Sequence, residues 1–494
     1  MIKITCGKGS SPISSKSILH TVVEFVRSEI KPTKEELDKA MNFFKELREI
    51  IESSLKLGHD FKVELEGSLA KGTCLRGEMD LDVFILIKND MISSEWIKSK
   101  VIDPLTTALS RHYRVRLRYA AHPYIHVVHE EGIEADIVPA YWAGGIKEIK
   151  TSVDRTPFHT KFIINTLTEE QKDEVRLLKK FFKGIGVYGA EIKVEGFSGY
   201  LCELLIIKYG SFINTLKFMS KWRAPQVITL GNVSKYELNT LFKLFGGNPL
   251  IFPDPVDPRR NAAASVSKRS MGLAVVASNC FLENPDSKFF YPSKRALSIE
   301  ELSKYVDETK RCVSYIVLKI DSELSPDVLW GVLKKFLRKG ENIISQSSFR
   351  VIDSRVWCDE VKYAVIFYET ELCGLSRYRL HEGPPPYVKI DLRKFISKYL
   401  NSAFFGPWVG NDGRLYVLRK RRYIGITDVL LNEVLSKLPK NFSVIDVLVN
   451  TLSRFPRDLL HNEEFTYWLT ETILKVPPWM SLGCKSGSLA SALR

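Results

Sequence analysis

Two aspartates one residue apart, in Asp80-Leu81-Asp82-Val83-Phe84-Ile85-Leu86, are the residues whose spacing most directly implies chemistry in this chain. Side chains alternate across a strand, so Asp80 and Asp82 point to one face. Two carboxylates that close repel each other unless a cation sits between them. Val83, Ile85 and Leu86 continue the strand as core, which places the acidic pair at a strand end where core meets cleft. Two-metal phosphoryl transfer uses such carboxylates to hold ions about 4 Å apart, one activating the attacking hydroxyl and one steadying the leaving pyrophosphate. A third carboxylate from a neighbouring strand completes that cage. Asp136, in Glu134-Ala135-Asp136-Ile137-Val138-Pro139, is the candidate, and Glu134 lies on the same face, so spacing does not exclude it. Upstream, Gly67-Ser68 follows a strand and offers what a triphosphate needs: bare backbone for close approach, a hydroxyl and free N–H groups. Gly-Ser is by itself a common turn; the Asp-x-Asp strand a dozen residues later is what gives it meaning.

The elements that must position these residues are legible in outline. Apolar positions recur at helical spacing from Ser17 to Leu57, and Thr33 with Glu36 forms a capping box, so two amphipathic helices precede the first strands. Residues 62–67, 80–87, 124–129 and 133–138 read as strands, the last two joined by a turn at Glu131-Gly132. From Thr156 to about Cys280 long helical segments dominate, including 171–185 and the continuously apolar 199–209, which reads as an ordinary buried helix. Beyond the aromatic patch Phe289-Phe290-Tyr291 the pattern is mixed: a strand at 312–320, a helix at 325–338, strands at 349–357 and 361–370. Gly383-Pro384-Pro385-Pro386 cannot be helix or central strand. It lies in a basic, aromatic stretch carrying Arg377, Arg379, Arg393, Lys394, Arg414, Arg419, Lys420, Arg421 and Arg422.

Bulk properties agree with a multidomain globular chain of 494 residues, 45% hydrophobic and 26% charged. Lys and Arg number 72 against 58 Asp and Glu, a net charge of +14, which points to a polyanionic partner. No apolar run reaches transmembrane length, so nucleic acid is preferred to a membrane. The eight cysteines, at 6, 74, 202, 280, 312, 358, 373 and 484, form no CxxC pair. They are expected to be reduced core thiols in a cytoplasmic protein, since the N-terminal residues lack the apolar segment of a secretory signal.

Gly67-Ser68 followed by Asp80-x-Asp82 is the signature of the polymerase β-like nucleotidyltransferases, and further segments narrow the resemblance. GSLAKGT…GEMDLDVFIL, EADIVPAYW, DRTPFHTKFI, EVRLLKKFFKGIGVYGAE, GFSGYLCELLIIKYGSF and DPVDPRRNAAASV, from residue 67 to about 266, resemble the class I, archaeal-type CCA-adding enzymes. Looser matches, HEGPPPY and FGPWVGNDGRLYV, extend it to about residue 418. The resemblance implies an α+β multidomain fold: a polymerase β-like nucleotidyltransferase head with a small mixed sheet over 1–155, and a helical neck over 156–283 that closes the nucleotide pocket. An α+β body over 284–372, a basic tail region binding tRNA over 373–430 and a C-terminal helical part over 431–494 packing back on the body would follow.

Carried over residue by residue, Asp80, Asp82 and Asp136 would bind two Mg²⁺ ions, and Gly67, Ser68 and Lys71 would meet the triphosphate. The family commonly has arginine at Lys71, so charge survives here but bidentate phosphate binding does not. His159 follows Thr156-Pro157, which reads as N-cap and first residue of a helix; a lone histidine there is ordinarily a structural hydrogen-bonder, and the resemblance makes it a triphosphate or sugar contact. Lys179 lies on a basic stripe with Arg176 and Lys183, by itself a solvated helix face, and the resemblance moves Lys179 and Tyr188 into the nucleotide pocket. Asp257-Pro258 suggests a further helix start with Arg260 in its first turn, and the resemblance makes Arg260 the reader of the incoming base.

The implied reaction is template-independent building of the 3′-terminal CCA of tRNA from CTP and ATP, with the acceptor stem and T arm of tRNA as the surfaces held and a homodimer as the assembly. Cytosine and adenine share an exocyclic amino donor beside an unprotonated ring nitrogen, a pattern that uracil and guanine reverse. One fixed donor and one fixed acceptor would therefore select both, because a mismatch leaves buried polar groups unpaired. The competing readings are an ATP-only polymerase of the same superfamily and a non-catalytic RNA-binding protein with a dead head.

Overall fold

The structure, a computed structural model, describes residues 15–480 apart from 89–92, 120–121 and 233. Cys6, Cys484, the N-terminal segment read for a signal, and the end of the 431–494 stretch lie outside the described residues. The chain divides into two compact units, one running to Ser293 and resumed from Pro477, the other Lys294–Val476.

In the first unit, helices α1 (Ser15–Ile30) and α2 (Lys34–Ser54) come first, and the expected capping box of Thr33 and Glu36 opens α2. A five-stranded sheet is built from β1 (Phe61–Glu66), β2 (Leu81–Ile87), β3 (Arg114–Tyr119), β4 (Pro123–Val128) and β5 (Glu134–Tyr141). Their order is β1-β2-β5-β4-β3. Only β2 and β5 run parallel. Central β2 is apolar on both sides because both are covered. Val83, Ile85 and Ile87 pack beneath Phe43, Leu47 and Ile51 of α2, while Phe84 and Leu86 face Ala140 in a smaller cluster. The edge strand β3 was not expected; its alternation of Arg with Val and Leu leaves nearly every residue exposed, so it carries no buried apolar face to read.

The helical part follows as α3 (Thr156–Thr166), α4 (Glu169–Gly184), α5 (Gly199–Tyr209), α6 (Phe212–Met219) and α7 (Lys268–Glu283). Its core is aromatic: Phe181, Phe212, Phe281, Phe289 and Phe290 meet mostly edge to face or tilted, with Phe181 stacked on Phe289, and Trp479 joins Phe289 at 5.6 Å between ring centroids. Two expectations about helix starts need correction. Thr156 is already helical and Arg155 is the capping position, because a 3₁₀ turn at Val153–Arg155 leads directly into α3. Asp257-Pro258-Arg259-Arg260 opens no helix; it is a tight turn in which the Arg260 N–H donates to the Asp257 carbonyl at 2.9 Å. The Asp257 side chain accepts from the Arg259 N–H, the use of Asp that competes with helix capping.

The second unit contains α8 (Ile299–Thr309), β6 (Cys312–Ile320), α9 (Pro326–Gln346), β7 (Val351–Cys358) and β8 (Tyr363–Thr370). It continues with β9 (Tyr378–Glu382), α10 (Lys389–Tyr399), β10 (Phe405–Val409), β11 (Leu415–Lys420), β12 (Phe442–Val449) and α11 (Glu463–Leu474). An antiparallel sheet of order β12-β6-β8-β7 is covered by α9 on one face and by α8 and α11 on the other. A second sheet, β9-β11-β10, packs against Phe395 and Tyr399 of α10. Strand β12 corrects the helical reading of 431–494: Phe442–Val449 pairs with β6, with a register shift at Ile445. The cysteine reading is also corrected, because Cys312 and Cys373 form a disulfide. They are 61 residues apart in sequence, but β6 pairs antiparallel with β8, opposing Thr370 to Cys312 and bringing the segment after β8 alongside. Cys74, Cys202, Cys280 and Cys358 take no part in a disulfide.

Candidate active site

The acidic site is built by sheet register. β2 and β5 are paired so that Asp82 stands directly opposite Asp136, while β1 places Glu66 opposite Asp82 on the other side. Asp80 lies just before β2, and Glu134 is the first residue of β5. Burial pushes the Asp82 carboxyl up to about 6, with the neighbouring Asp136 and Asp80 adding to the effect. Asp80 is raised in the same way by burial and then by Glu134 and Asp136. These are hard oxygen donors whose shared ionisation is disfavoured until positive charge arrives, an arrangement that could hold a divalent cation. Among the described residues no three acidic, histidine or cysteine side chains already close into a ligand cluster. Asp136 instead accepts a hydrogen bond from His126 Nδ1 at 2.7 Å, and His126 Nε2 lies 3.4 Å from Glu134. His126, opposite Asp136 on β4, therefore bridges the two candidate third carboxylates. Sequence reasoning missed it because its partner is fixed by strand register rather than by local spacing.

Gly67 follows β1 at φ +70°, and a Cβ on it would fall 1.7 Å from Asp82 Oδ2. Glycine is required there both by the left-handed backbone and by the closeness of the carboxylate. Ser68 is in the short helical turn Gly67–Ala70 that follows, and the Thr73 N–H closes back on the Ser68 carbonyl. Between that turn and β2, the loop is clamped by α4. Arg176 Nε donates to the Cys74 carbonyl at 2.8 Å, Lys179 Nζ donates to the Thr73 carbonyl at 3.0 Å, and Lys183 pairs with Glu78. The basic stripe of α4 is thus no solvated face: Arg176 and Lys179 are buried, and all three cations hold residues 73–78.

A charge network invisible in the sequence lies beneath. Glu203, fully buried in the middle of α5, accepts from Lys71 Nζ and from the Thr73 hydroxyl, each at 2.7 Å, with Lys179 Nζ at 3.8 Å. Burial would raise the Glu203 carboxyl, but Lys71 and Lys179 outweigh it and hold it below its ordinary value. Burial lowers Lys179 despite Glu203. Glu203 sits in a run of Leu, Ile and Cys, so α5 reads as plain core. A lone carboxylate in such a run is the one clue, since a buried charge must be paired. Tyr188 stands beside Lys179 at the start of α5: a Cβ on Gly199 would lie 3.1 Å from the Tyr188 hydroxyl and 3.5 Å from Lys179 Nζ.

A second buried carboxylate gathers the remaining candidates. Asp254, with no exposure, accepts from His159 Nε2 at 2.8 Å, Arg260 Nη1 at 2.9 Å and the Tyr200 hydroxyl at 2.9 Å. His159 stacks on Tyr200 with centroids 4.0 Å apart. Burial lowers His159, partly opposed by Asp254. For Asp254 burial is likewise outweighed, by His159, the Val256 N–H and Arg260, and its carboxyl stays ionised well below the ordinary range. The structure thus collects the expected residues around two acidic anchors, Glu203 for Lys71 and Lys179, and Asp254 for His159 and Arg260. Neither anchor was singled out from the sequence.

In the second unit, a cavity of about 340 Å³ is lined by Arg379, Arg419, Lys420, Arg421 and Arg422, with Ile343 and Gln346–Ser348 at the end of α9. Of the basic residues expected there, Arg414 is paired with Glu382 and Arg422 with Glu433. No helix among the described residues is long and apolar enough to cross a membrane.

Three families match successive parts of the chain: a nucleotidyltransferase domain over 44–159, the second domain of tRNA nucleotidyltransferase over 173–291, and the C-terminal domain of CCA-adding enzyme over 311–443. A CCA-adding enzyme of Sulfurisphaera tokodaii is 37% identical over 465 residues, 94% of this chain and 97% of the relative. One of Saccharolobus shibatae is 39% identical over 420 residues, 85% of this chain and 93% of the relative. A third, of Pyrobaculum islandicum, is 38% identical over 84% of this chain and 93% of the relative.

Proposed function

From the membership of this chain in the archaeal-type CCA-adding enzymes, a family of tRNA nucleotidyltransferases, we propose how its own residues perform the reaction. The chain adds or repairs the 3′-terminal CCA of tRNA without a nucleic-acid template, using CTP and ATP and releasing pyrophosphate. Enzymes of this class use divalent metal ions. The observation that carries the site reading is the register of Asp82 against Asp136 on parallel strands, with Asp80 alongside and Gly67 pressed against Asp82.

Asp80, Asp82 and Asp136 are the residues that would hold two Mg²⁺ ions, and Glu134 stands within reach of His126 as the alternative to Asp136. When bound, the ions lower the pKa of the attacking 3′-hydroxyl and neutralise charge on the leaving pyrophosphate. The protein's own work is positioning. Gly67 and Ser68 offer the triphosphate a close backbone and a hydroxyl, and Lys71 with Lys179 of α4 share the single carboxylate of Glu203, two formal positive charges to one negative. Tyr188 and His159 would meet the nucleotide, with Lys71 and Lys179 acting through their charge from buried positions on Glu203. Arg260, half-exposed and anchored at one nitrogen, keeps further N–H donors for the ring nitrogen common to cytosine and adenine.

The head and neck, 1–155 and 156–283, take the nucleotide, and the body, 284–372, with the basic tail region, 373–430, takes the acceptor stem and T arm of tRNA. The Arg379, Arg419, Lys420 and Arg421 cavity supports a phosphate-binding role for the latter. The compartment is the cytoplasm, and the assembly a homodimer that sedimentation would test.

The deciding experiment incubates the protein with tRNA lacking its last three nucleotides and with each nucleoside triphosphate separately and in pairs. Incorporation of CTP followed by ATP, and neither UTP nor GTP, is expected. Extension by ATP alone would assign an adenylate polymerase, and no extension a dead head.

A further inference from the structure

We infer that Asp254 is the positioning residue through which this enzyme selects its bases: it fixes the guanidinium of Arg260 in the one orientation that offers a donor to cytosine and adenine. The inference rests on the reading of Arg260 as the base contact.

Asp254 has no solvent exposure, and its carboxylate is fully used. Oδ1 accepts from the Tyr200 hydroxyl and the Val256 N–H, both at 2.9 Å, and Oδ2 accepts from His159 Nε2 at 2.8 Å and Arg260 Nη1 at 2.9 Å. The donors come from α3, from α5 and from the loop that carries Arg260, so one buried charge ties together three separately placed segments. The loop is independently rigid: the Asp254 N–H donates to the Arg260 carbonyl at 3.0 Å and the Arg260 N–H to the Asp257 carbonyl at 2.9 Å. Asn261, buried, bonds the Phe252 N–H and the Leu250 carbonyl, fixing the other side.

Arginine on an exposed turn samples many rotamers, and a reader that wanders cannot discriminate. Anchoring one nitrogen on a buried carboxylate removes that freedom, because the guanidinium is planar and its remaining donors then point along set directions. At 40% side-chain exposure, Arg260 is bound at its root and open at its edge. No template supplies a complementary base here, so the fixed direction of this donor must do what a template base does in other polymerases. Tyr200 and His159, stacked on each other and bonded to different oxygens of Asp254, brace the carboxylate.

The test is Asp254→Asn, which keeps shape but turns one acceptor into a donor facing Arg260 and His159. Single-nucleotide incorporation on tRNA is measured with CTP, ATP, UTP and GTP, alone and in an Arg260→Ala background, alongside the melting temperature. The ratio of correct to incorrect incorporation should fall by about tenfold or more, and Asp254→Asn should add no further loss of that ratio once Arg260 is alanine. A variant with lowered stability but an unchanged ratio would make Asp254 merely structural and overturn the inference, as would equal losses in both backgrounds. If Asp254→Asn does not fold, Arg260→Lys on the open side serves instead: it keeps the ion pair without the planar fork, and retention of full discrimination would overturn the inference. An Arg260→Ala variant with an unchanged ratio would instead refute the base-contact reading itself, a result distinct from each of these.

Discussion

Gly67 and Asp82 are in such close approach that a single methyl group cannot stand between them, the Cβ position lying 1.7 Å from the carboxylate oxygen. The glycine therefore shapes the carboxylate site as well as the backbone. Gly67→Ala should displace Asp82 and add strain from φ +70°, reducing nucleotide addition at least about a hundredfold while tRNA binding is retained. Single-turnover rates and tRNA affinity on the same variant check this, and a fully active Gly67→Ala protein would refute it.

The third metal ligand is decided by a pair of substitutions. Asp80→Ala or Asp82→Ala should remove activity with the fold intact, and Asp136→Ala should be as damaging. Glu134→Ala should be milder, because Asp136 holds the shorter bond to His126, 2.7 Å against 3.4 Å. Rates measured across a Mg²⁺ titration separate metal binding from chemistry, and a more damaging Glu134→Ala would exchange the two roles.

Lys71 and Glu203 form a buried ion pair at 2.7 Å, so removing Lys71 leaves Glu203 only the longer 3.8 Å contact of Lys179 and the Thr73 hydroxyl. Lys71→Ala should cost about 3–5 kcal/mol of folding stability, beyond any effect on nucleotide binding. Lys71→Ala with Glu203→Leu should recover much of it. Thermal or denaturant unfolding of the single and double variants measures this, and a lysine removal without a stability cost would contradict the buried pairing.

Much of the local geometry was legible beforehand because it is carried by local spacing. Asp-x-Asp gives a shared face, Gly-Ser a backbone approach, and the apolar runs around them give β2 and β5. What escaped is set by pairing over distance. Glu203 and Asp254 acquire meaning only once α5 and the Arg260 loop fold beside residues more than fifty positions away in sequence. Cys312 and Cys373 become neighbours only through the β6–β8 ladder. The turn at Asp257 was misread because Asp followed by Pro serves helix starts and tight turns equally well, and backbone bonds to Arg260 decide between them.

The arginine-lined cavity of the second unit should make tRNA affinity fall steeply with salt, with a log–log slope of about 0.7 to 0.9 per neutralised phosphate. Arg379→Ala or Arg421→Ala should lower that slope by about one each without altering the choice of nucleotide. Filter binding across a salt series tests this, and a slope unchanged in both variants would remove the cavity from the RNA path.

Acid should act on the second unit through Glu369, which is bonded by Arg311 at 2.6 and 2.7 Å and by Lys475 at 2.7 Å. Burial opposes ionisation, but these cations win and depress the carboxyl below its ordinary value of 4.5. A depressed folded-state pKa contributes stability that is present above about pH 4.5 and is lost as pH falls through the lower, folded value. Glu369→Gln should lower stability at pH 7 by about 3–5 kcal/mol and flatten the acid decline of this unit. Melting curves between pH 3 and 7 decide, and an equally steep decline in the variant would exclude Glu369 as its source.

The return of the chain to its first unit at Pro477 sets an order of manufacture. Trp479, 2% exposed among the neck phenylalanines, is made only after the whole of 294–476 has been synthesised. Domains fold largely as they emerge, N-terminal parts first. A nascent chain on the ribosome therefore holds every residue of its second unit before Trp479 can complete the aromatic core of the first.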